Sequence, residues 1–363
     1  MKKIIIFSPN SGWGGGEKSL YNFLIKFKNN ENFQIYLILP EYDERLNFSQ
    51  IKSYYYPVTY LINYRKVKNV KYIRNFIKII KLIKNIKPDY FYFNGLYKSE
   101  LLILLIKMLF PELIIILHIR NIFFKMPFYR FLAIRISNKK IFISKFVKQS
   151  FKKSLQENSK VIYNIQNEII ETDNIPFYNK TKYQIGIFSR ISPEKGQLDF
   201  IQIAKKVIDS SKNFMFNIYG STLYGSEDYY KKLEKYIKEH KIESYIKFHG
   251  YKKNILEEIL KNDAILVCSH FEPFGRVIIE AMACGRIVLS YDYGGPSEII
   301  KNGFNGFLIE YKNIDGFAKR LLSIPSLPAS TLIEIYQNSI NTVKSKYNYD
   351  SFYRLFKELL NGD

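Results

Sequence analysis

The chain has 363 residues, 47% of them hydrophobic and 24% charged, which excludes a disordered protein and leaves room for two domains with separate cores. Its formal net charge is +22, but residues 1–170 carry 29 Lys and Arg against 10 Asp and Glu, while residues 171–363 carry 26 against 23. A biased genome would act on both halves alike, so this asymmetry is a signal of its own.

The opening Met-Lys-Lys-Ile-Ile-Ile-Phe holds too short an apolar run for a signal peptide and reads as a first strand. Further strands are predicted at Gln34–Leu39, Tyr90–Phe93, Leu113–Leu117, Lys140–Ile143 and Val161–Tyr163, with helices at Glu17–Phe27, Tyr72–Ile86, Glu100–Phe110 and Lys145–Leu155. Asn164–Thr181, polar and containing Pro176, reads as a linker. Beyond it, strands are predicted at Gln184–Phe188, Phe214–Tyr219, Ile246–Phe248, Ala264–Val267, Ile287–Ser290 and Phe307–Glu310. Helices alternate with them at Leu198–Ser210, Asp228–Glu239, Asn254–Leu260, Arg276–Cys284 and Ser297–Lys301. Short strands alternating with helices imply an α/β protein with covered parallel sheets. The expected architecture is two Rossmann-like domains facing across a cleft: 1–165, then 166–345, with a C-terminal helix at 346–363 crossing back to the first domain. The longest apolar run, Leu101–Phe110, is broken by Lys107 and falls far short of the roughly 20 residues of a membrane span. Cys268 and Cys284 form no CxxC, and the four histidines form no HExxH, so no metal site is expected and a reduced, cytoplasmic chain is the natural reading.

The most informative block is Glu272-Pro-Phe-Gly-Arg-Val-Ile-Ile-Glu280. It sets one carboxylate in a loop before a helix and a second inside that helix. The first can meet sugar hydroxyls, the free amides at the helix start can meet a phosphate, and the second can hold a ribose. Ser189-Arg190-Ile-Ser-Pro-Glu-Lys195-Gly196 follows a predicted strand, where open α/β sheets bind ligands. Arg190 supplies a bidentate fork and Lys195 a point charge, both suited to a diphosphate, although a water-facing basic loop would look the same. Gly294-Gly295-Pro-Ser-Glu298 precedes a helix and lets backbone approach a ligand, while Glu298 alone would serve the helix dipole.

In the first half, Gly12-Trp-Gly14-Gly15-Gly16-Glu17-Lys18 follows the first strand. It fails both the Walker pattern and GxGxxG, but Gly14, Gly15 and Gly16 remain a candidate acceptor or phosphate loop; Trp13 could line an acceptor pocket or simply pack. His118 stands at a predicted strand end, a position open to a catalytic or a structural role. His240, His249 and His270 read as structural.

With these motifs in this order, the chain resembles the family 4 retaining glycosyltransferases of GT-B fold. The likeness is strongest over Ile185–Leu308, and in the first half it rests on Gly15-Gly16-Glu17, His118, and Ile143-Ser144-Lys145 leading to Tyr163-Asn164. Pro273 departs from the glycine often found after the first motif glutamate. The resemblance implies metal-independent, retaining transfer from a UDP- or GDP-sugar as co-substrate, with no cofactor. It places Arg190 and Lys195 on the diphosphate, Glu272 with the amides of Phe274 and Gly275 at the donor sugar, Glu280 on the ribose, and His118 at the donor sugar from the other domain. The acceptor is expected to be a glycan or lipid-linked molecule of cell-surface polysaccharide synthesis such as lipopolysaccharide or capsule. A soluble polyglucan or small-molecule transferase, or a non-catalytic partner on a transferase fold, is the alternative.

A nicotinamide or flavin oxidoreductase would need the glycine fingerprint that Glu17 interrupts. A nucleic-acid partner is not expected, since no helix-turn-helix, zinc, RRM or OB signature accompanies the charge. The basic first half instead suggests an anionic membrane surface. Arg65 to Lys87 holds nine Lys or Arg and no acid, with Ile73, Phe76, Ile77, Ile80 and Ile83 at helical spacing, a stripe that would equally pack against the sheet. Phe123-Phe-Lys-Met-Pro-Phe-Tyr-Arg-Phe131 interleaves aromatics with cations, as interfacial segments do. Peripheral attachment at the inner face of the cytoplasmic membrane follows as an expectation.

Overall fold

Runs of Ile, Leu, Phe and Tyr form strands in both halves of the computed structural model, which describes residues 1–10, 13–56, 70–96, 99–222 and 227–362. Two compact units result: Met1–Ile165 with Tyr349–Asp363, and Gln166–Asn348.

In the first unit, β1 (Lys2–Phe7), β2 (Phe33–Leu39), β3 (Lys52–Tyr55), β4 (Tyr90–Phe93), β5 (Ile114–Ile119), β6 (Lys139–Phe142) and β7 (Ser159–Val161) make a 7-stranded parallel sheet of order β3-β2-β1-β4-β5-β6-β7. All four residues of β4 are buried, as a central strand covered on both faces requires. Between the strands lie α1 (Gly15–Phe27), α2 (Val70–Ile86), α3 (Glu100–Leu109), α4 (Phe128–Ile136) and α5 (Lys145–Gln149). The structure corrects the stripe read on α2. Ile79, Leu82, Ile83 and Ile86 form its buried face, Phe76 and Ile80 are half-buried, and Ile77 is exposed beside Arg74, Lys78, Lys81 and Lys84. Arg65, Lys66, Lys68 and the side chain of Ile73 lie outside the described residues.

The second unit holds a 6-stranded parallel sheet of order β10-β9-β8-β11-β12-β13. Its strands are β8 (Tyr183–Phe188), β9 (Phe214–Tyr219), β10 (Ile246–Gly250), β11 (Ala264–Val267), β12 (Ile287–Tyr291) and β13 (Phe307–Ile309). The helices are α6 (Gln197–Ser210), α7 (Glu227–Glu239), α8 (Ile255–Leu260), α9 (Arg276–Ala283), α10 (Pro296–Ile299), α11 (Ile314–Ser323) and α12 (Ala329–Lys346). Strand order reverses between β8 and β11, so the loops leaving those two strands flank the crevice where open sheets take ligands.

The segment read as a linker is pinned to the second unit from Gln166 onward. The Gln166 amide donates to Tyr347 O (2.8 Å), Ile170 to Ala283 O (2.9 Å), and Arg286 to Asn174 O (2.7 Å), while Lys180 pairs with Asp263 at 2.5 Å. The last helix, α13 (Tyr349–Asn361), buries Phe352, Phe356 and Leu359 in the first unit's core, with Phe352 4.8 Å from Phe23, and Glu358 pairs with Lys160 at 2.7 Å.

Candidate functional site

Loops on both sides of the β8/β11 switch carry the motif residues of the second unit. After β8 the chain makes a bridge at Ile191 and a 3-10 turn at Pro193–Lys195, and Gly196 then starts α6 in the left-handed region (φ 73°). A Cβ on Gly196 would stand 1.9 Å from the Cys268 carbonyl oxygen, so only glycine lets this loop lie against the end of β11. Fully buried Gln197 ties the turn together: its amide donates to Arg190 O (2.7 Å) and Ser189 Oγ (2.8 Å). Sequence reasoning passed over Gln197, since it sits outside the charged motif it supports.

The two loops meet through a charge pair. Lys195 Nζ donates to Glu272 Oε2 at 2.7 Å, and both side chains are about four-fifths buried (19% and 16% exposed). The other carboxylate oxygen, Oε1, accepts the Gly275 amide at 3.1 Å. Gly275 caps α9 with φ 99°, and Phe274 beside it is buried. Arg190 stands apart from this cluster; its side chain is 57% exposed and its guanidinium lies 3.6 Å from Glu194. Thus Lys195, Glu272 and Gly275 are brought together, while Arg190 reaches into solvent from the same turn.

One turn into α9, Glu280 is buried and faces Arg276 across 3.0 Å. The Arg276 nitrogens are also buried, and none makes a well-aligned hydrogen bond among the described residues. A guanidinium cannot shed its proton, so such donors favour an incoming anion or hydroxyl oxygen. Arg276 is a candidate site residue that the motif reading missed. Its signal was the i, i+4 spacing to Glu280.

The Gly294-Gly295 turn supports this loop from behind. The Gly295 amide donates to the Glu272 backbone oxygen (2.9 Å), and a Cβ there would lie 2.4 Å from Phe274 Cα. These glycines therefore clamp the Glu272 loop, and the Gly295 amide is already engaged. Asp199, in the first turn of α6, accepts from Tyr291 Oη (2.6 Å) and lies 3.1 Å from His270 Nε2. His249 stacks on Tyr219 (4.4 Å), with its Nε2 2.8 Å from Asn217 Oδ1, and His240 stacks on Tyr236.

The remaining candidates belong to the first unit. Gly14 and Gly15 are exposed at the start of α1 and Gly16 is half-buried; the Gly14 amide donates to Glu17 Oε2 at 3.2 Å. Gly12 lies outside the described residues. Trp13 packs under the Arg45 guanidinium (3.9 Å) and against Tyr21, which favours the packing reading. His118 lies within β5 and is wholly buried, with Nδ1 2.5 Å from Tyr92 Oη and 3.2 Å from Arg120. Burial, and then the Arg120 cation, hold its pKa well below the ordinary histidine value. Among the described residues no group of three His, Cys, Asp or Glu is arranged to hold a metal ion, and no helix is long and apolar enough to cross a membrane.

Residues 168–344 match the family described as glycosyl transferases group 1. An uncharacterized glycosyltransferase of Methanocaldococcus jannaschii is 31% identical over 52% of this chain and 50% of its own length. The poly(glycerol-phosphate) alpha-glucosyltransferase of Bacillus subtilis is 30% identical over 42% of this chain and 21% of its own. The chain thus spans half the length or less of these curated relatives. Among solved structures, HepE of Anabaena in complex with UDP-glucose superposes over 100% of both chains with a TM-score of 0.81 at 20% identity, a likeness of fold. Together, the family match over residues 168–344, which carry Lys195, Glu272 and Glu280, and the two parallel sheets place the second unit among the glycosyl transferases group 1 and give the chain the GT-B fold.

Proposed function

We propose that the protein is a retaining glycosyltransferase that moves a sugar from a nucleoside diphosphate sugar, with UDP- and GDP-sugars as the candidate donors, to a glycan or lipid-linked acceptor. The observation that carries this reading is the Lys195–Glu272–Gly275 cluster at the β8/β11 switch, with Arg276 next to Gly275 at the start of α9 and Glu280 one helical turn further on. Breaking a glycosyl–phosphate bond leaves negative charge on the diphosphate. Lys195, the exposed Arg190 and the amino-terminal end of α9 are suited to stabilise that charge, so no metal ion need be recruited. Glu272 is the candidate contact to the donor sugar, beside the backbone of Phe274 and Gly275, and Glu280 to the ribose hydroxyls. His118 is assigned a contact to the donor sugar, and Gly14 to Gly16 an acceptor or phosphate contact. Incubation with a panel of UDP- and GDP-sugars in EDTA tests the reading by nucleoside diphosphate release. Release that occurs only after manganese is added, or from no donor, would overturn it.

The acceptor is assigned to cell-surface polymer synthesis, a reading supported by the Bacillus subtilis relative named for poly(glycerol-phosphate). We further propose that the first unit docks on the inner face of the cytoplasmic membrane. Phe124 and Phe128 are 87% and 77% exposed around Lys125, and Met108 and Leu109 are exposed on α3, the neighbour of α4. Lys3, Lys52, Lys78 and Lys81 line a groove of about 510 Å³ with Tyr54 and Tyr56. Each cation near an anionic surface contributes about 1 kcal/mol, screened by salt. Flotation with anionic vesicles should therefore succeed at low salt, fall steeply as salt rises, and be weak with neutral vesicles. Equal, salt-insensitive binding to both would reject docking and favour a soluble acceptor.

A further inference from the structure

At the carboxyl end of the first sheet, one buried histidine is held by two groups whose chemistry decides where its proton sits. Tyr92 Oη lies 2.5 Å from His118 Nδ1, and Arg120 reaches the same nitrogen at 3.2 Å. A guanidinium has five donors and no lone pair to offer, so Nδ1 must be the acceptor in that contact. The tyrosine hydroxyl, kept protonated by burial that pushes its pKa up to about 12, is then a second donor to the same nitrogen. With Nδ1 accepting, a neutral imidazole carries its hydrogen on Nε2. That Nε2 is buried and has no hydrogen-bond partner among the described residues.

Arg120 is fixed in turn. Its Nε and one terminal nitrogen donate to Asn94 Oδ1 (3.1 and 2.7 Å), and the other donates to Ser19 Oγ (3.1 Å) and Asn164 Oδ1 (2.9 Å). These partners come from the ends of β4 and β7 and from α1, so the guanidinium cannot swing away without breaking contacts to three elements.

We propose that Tyr92 and Arg120 are positioning residues that lock His118 as the neutral Nε2–H tautomer, making it a hydrogen-bond donor toward an oxygen of the ligand and not a base. The ligand part of this rests on the reading that His118 meets the donor sugar. The matching chemistry is a hydroxyl oxygen with a free lone pair. Such an acceptor satisfies a buried donor that otherwise has none. A histidine serving as base would need a free lone pair on the approached nitrogen, and here the lone pair is on the side turned to Tyr92 and Arg120.

Nitrogen-15 NMR of the full chain labelled at histidine reads the tautomer directly. The expected wild-type spectrum has a pyridine-type Nδ1 and a pyrrole-type Nε2 for His118, assigned by its loss in His118→Ala. Arg120→Lys, which still only donates, should keep that signature. The Tyr92→Phe/Arg120→Met pair should give mixed tautomers and a lower kcat/KM for the nucleotide sugar. A protonated Nδ1 in the wild type, or an unchanged tautomer in the folded double variant, would overturn the proposal; the wild-type spectrum decides even where the double variant fails to fold. Failure of the donor-sugar reading would look different: the tautomer as assigned, but His118→Ala with an unchanged kcat and KM for the nucleotide sugar.

Discussion

Replacing Lys195 by alanine separates nucleotide binding from the sugar chemistry. In the free protein the ammonium is held 2.7 Å from Glu272, largely out of solvent, so a donor diphosphate must share Lys195 with that carboxylate. A bare pair 4 Å apart at an effective dielectric constant of about 20 is worth roughly 4 kcal/mol, and residual solvent access lowers this. A charge-assisted contact to phosphate is accordingly expected to contribute about 1.5–3 kcal/mol, or roughly 10- to 150-fold in Kd. Glu272→Ala has the opposite consequence for the nucleotide. It frees the ammonium, so UDP or GDP should bind as well as to wild type or better, while turnover of the sugar donor falls. Isothermal titration of UDP and GDP into wild type, both single variants and the double variant, with circular dichroism to verify folding, makes the comparison. If folded Lys195→Ala binds the preferred nucleotide within about twofold of wild type, a difference of only ~0.4 kcal/mol, the diphosphate assignment is wrong.

Gly295→Ala should destabilise the second unit by about 1–3 kcal/mol through overpacking, because its Cβ would meet Phe274 Cα at 2.4 Å. Gly303→Ala is the contrast in urea unfolding: unlike Gly295 (φ −58°) it sits at φ 75°, which disfavours a Cβ, but that Cβ would meet only open space, so it should cost only about 1 kcal/mol. Arg276→Met should cost up to about 3–5 kcal/mol in the same assay by removing the cation 3.0 Å from the buried Glu280 carboxylate, and adding Glu280→Gln should restore much of the loss. Equal stability of the single and double variants would show that the two side chains do not depend on each other. Because His118 is held neutral, its folded pKa lies below its unfolded value. Its contribution is therefore present above about pH 6.5 and is lost as pH falls from there toward the folded pKa, with a slope of at most about 1.4 kcal/mol per pH unit. His118→Gln should flatten this acid limb of the unfolding free energy, and an unchanged limb would remove His118 from the account.

How much was legible in the sequence depended on whether the signal was contiguous. Glu272, Gly275 and Glu280 lie in one loop and helix, so their spacing alone placed them. Strands buried on both faces, such as β4 and β11, were bounded correctly because an unbroken apolar run suffices. The edge strand β3 was missed: Lys-Ser-Tyr-Tyr is half-exposed and, among the described residues, pairs with β2 alone, so neither alternation nor continuity marks it. α4 was also missed, because it starts directly after Pro127 with an exposed Phe128, which hides its periodicity. The single helix read over Lys145–Leu155 ends instead at Gln149, where Ser150 turns its hydroxyl back to Val147 O (2.7 Å), and resumes only as a 3-10 turn at Lys153–Leu155. The grip of Tyr92 and Arg120 on His118 was out of reach, since it depends on the register of β4 beside β5.

Sugar transfer from a nucleoside diphosphate, with retention and without a metal, is the activity proposed for this chain. It is tested most directly by following an α-configured UDP- or GDP-sugar by proton NMR in the presence of EDTA. Nucleoside diphosphate is expected to appear together with an α-anomeric product signal, from hydrolysis or transfer, before mutarotation sets in. A β-anomer formed first, or turnover that starts only when manganese replaces the chelator, would contradict it.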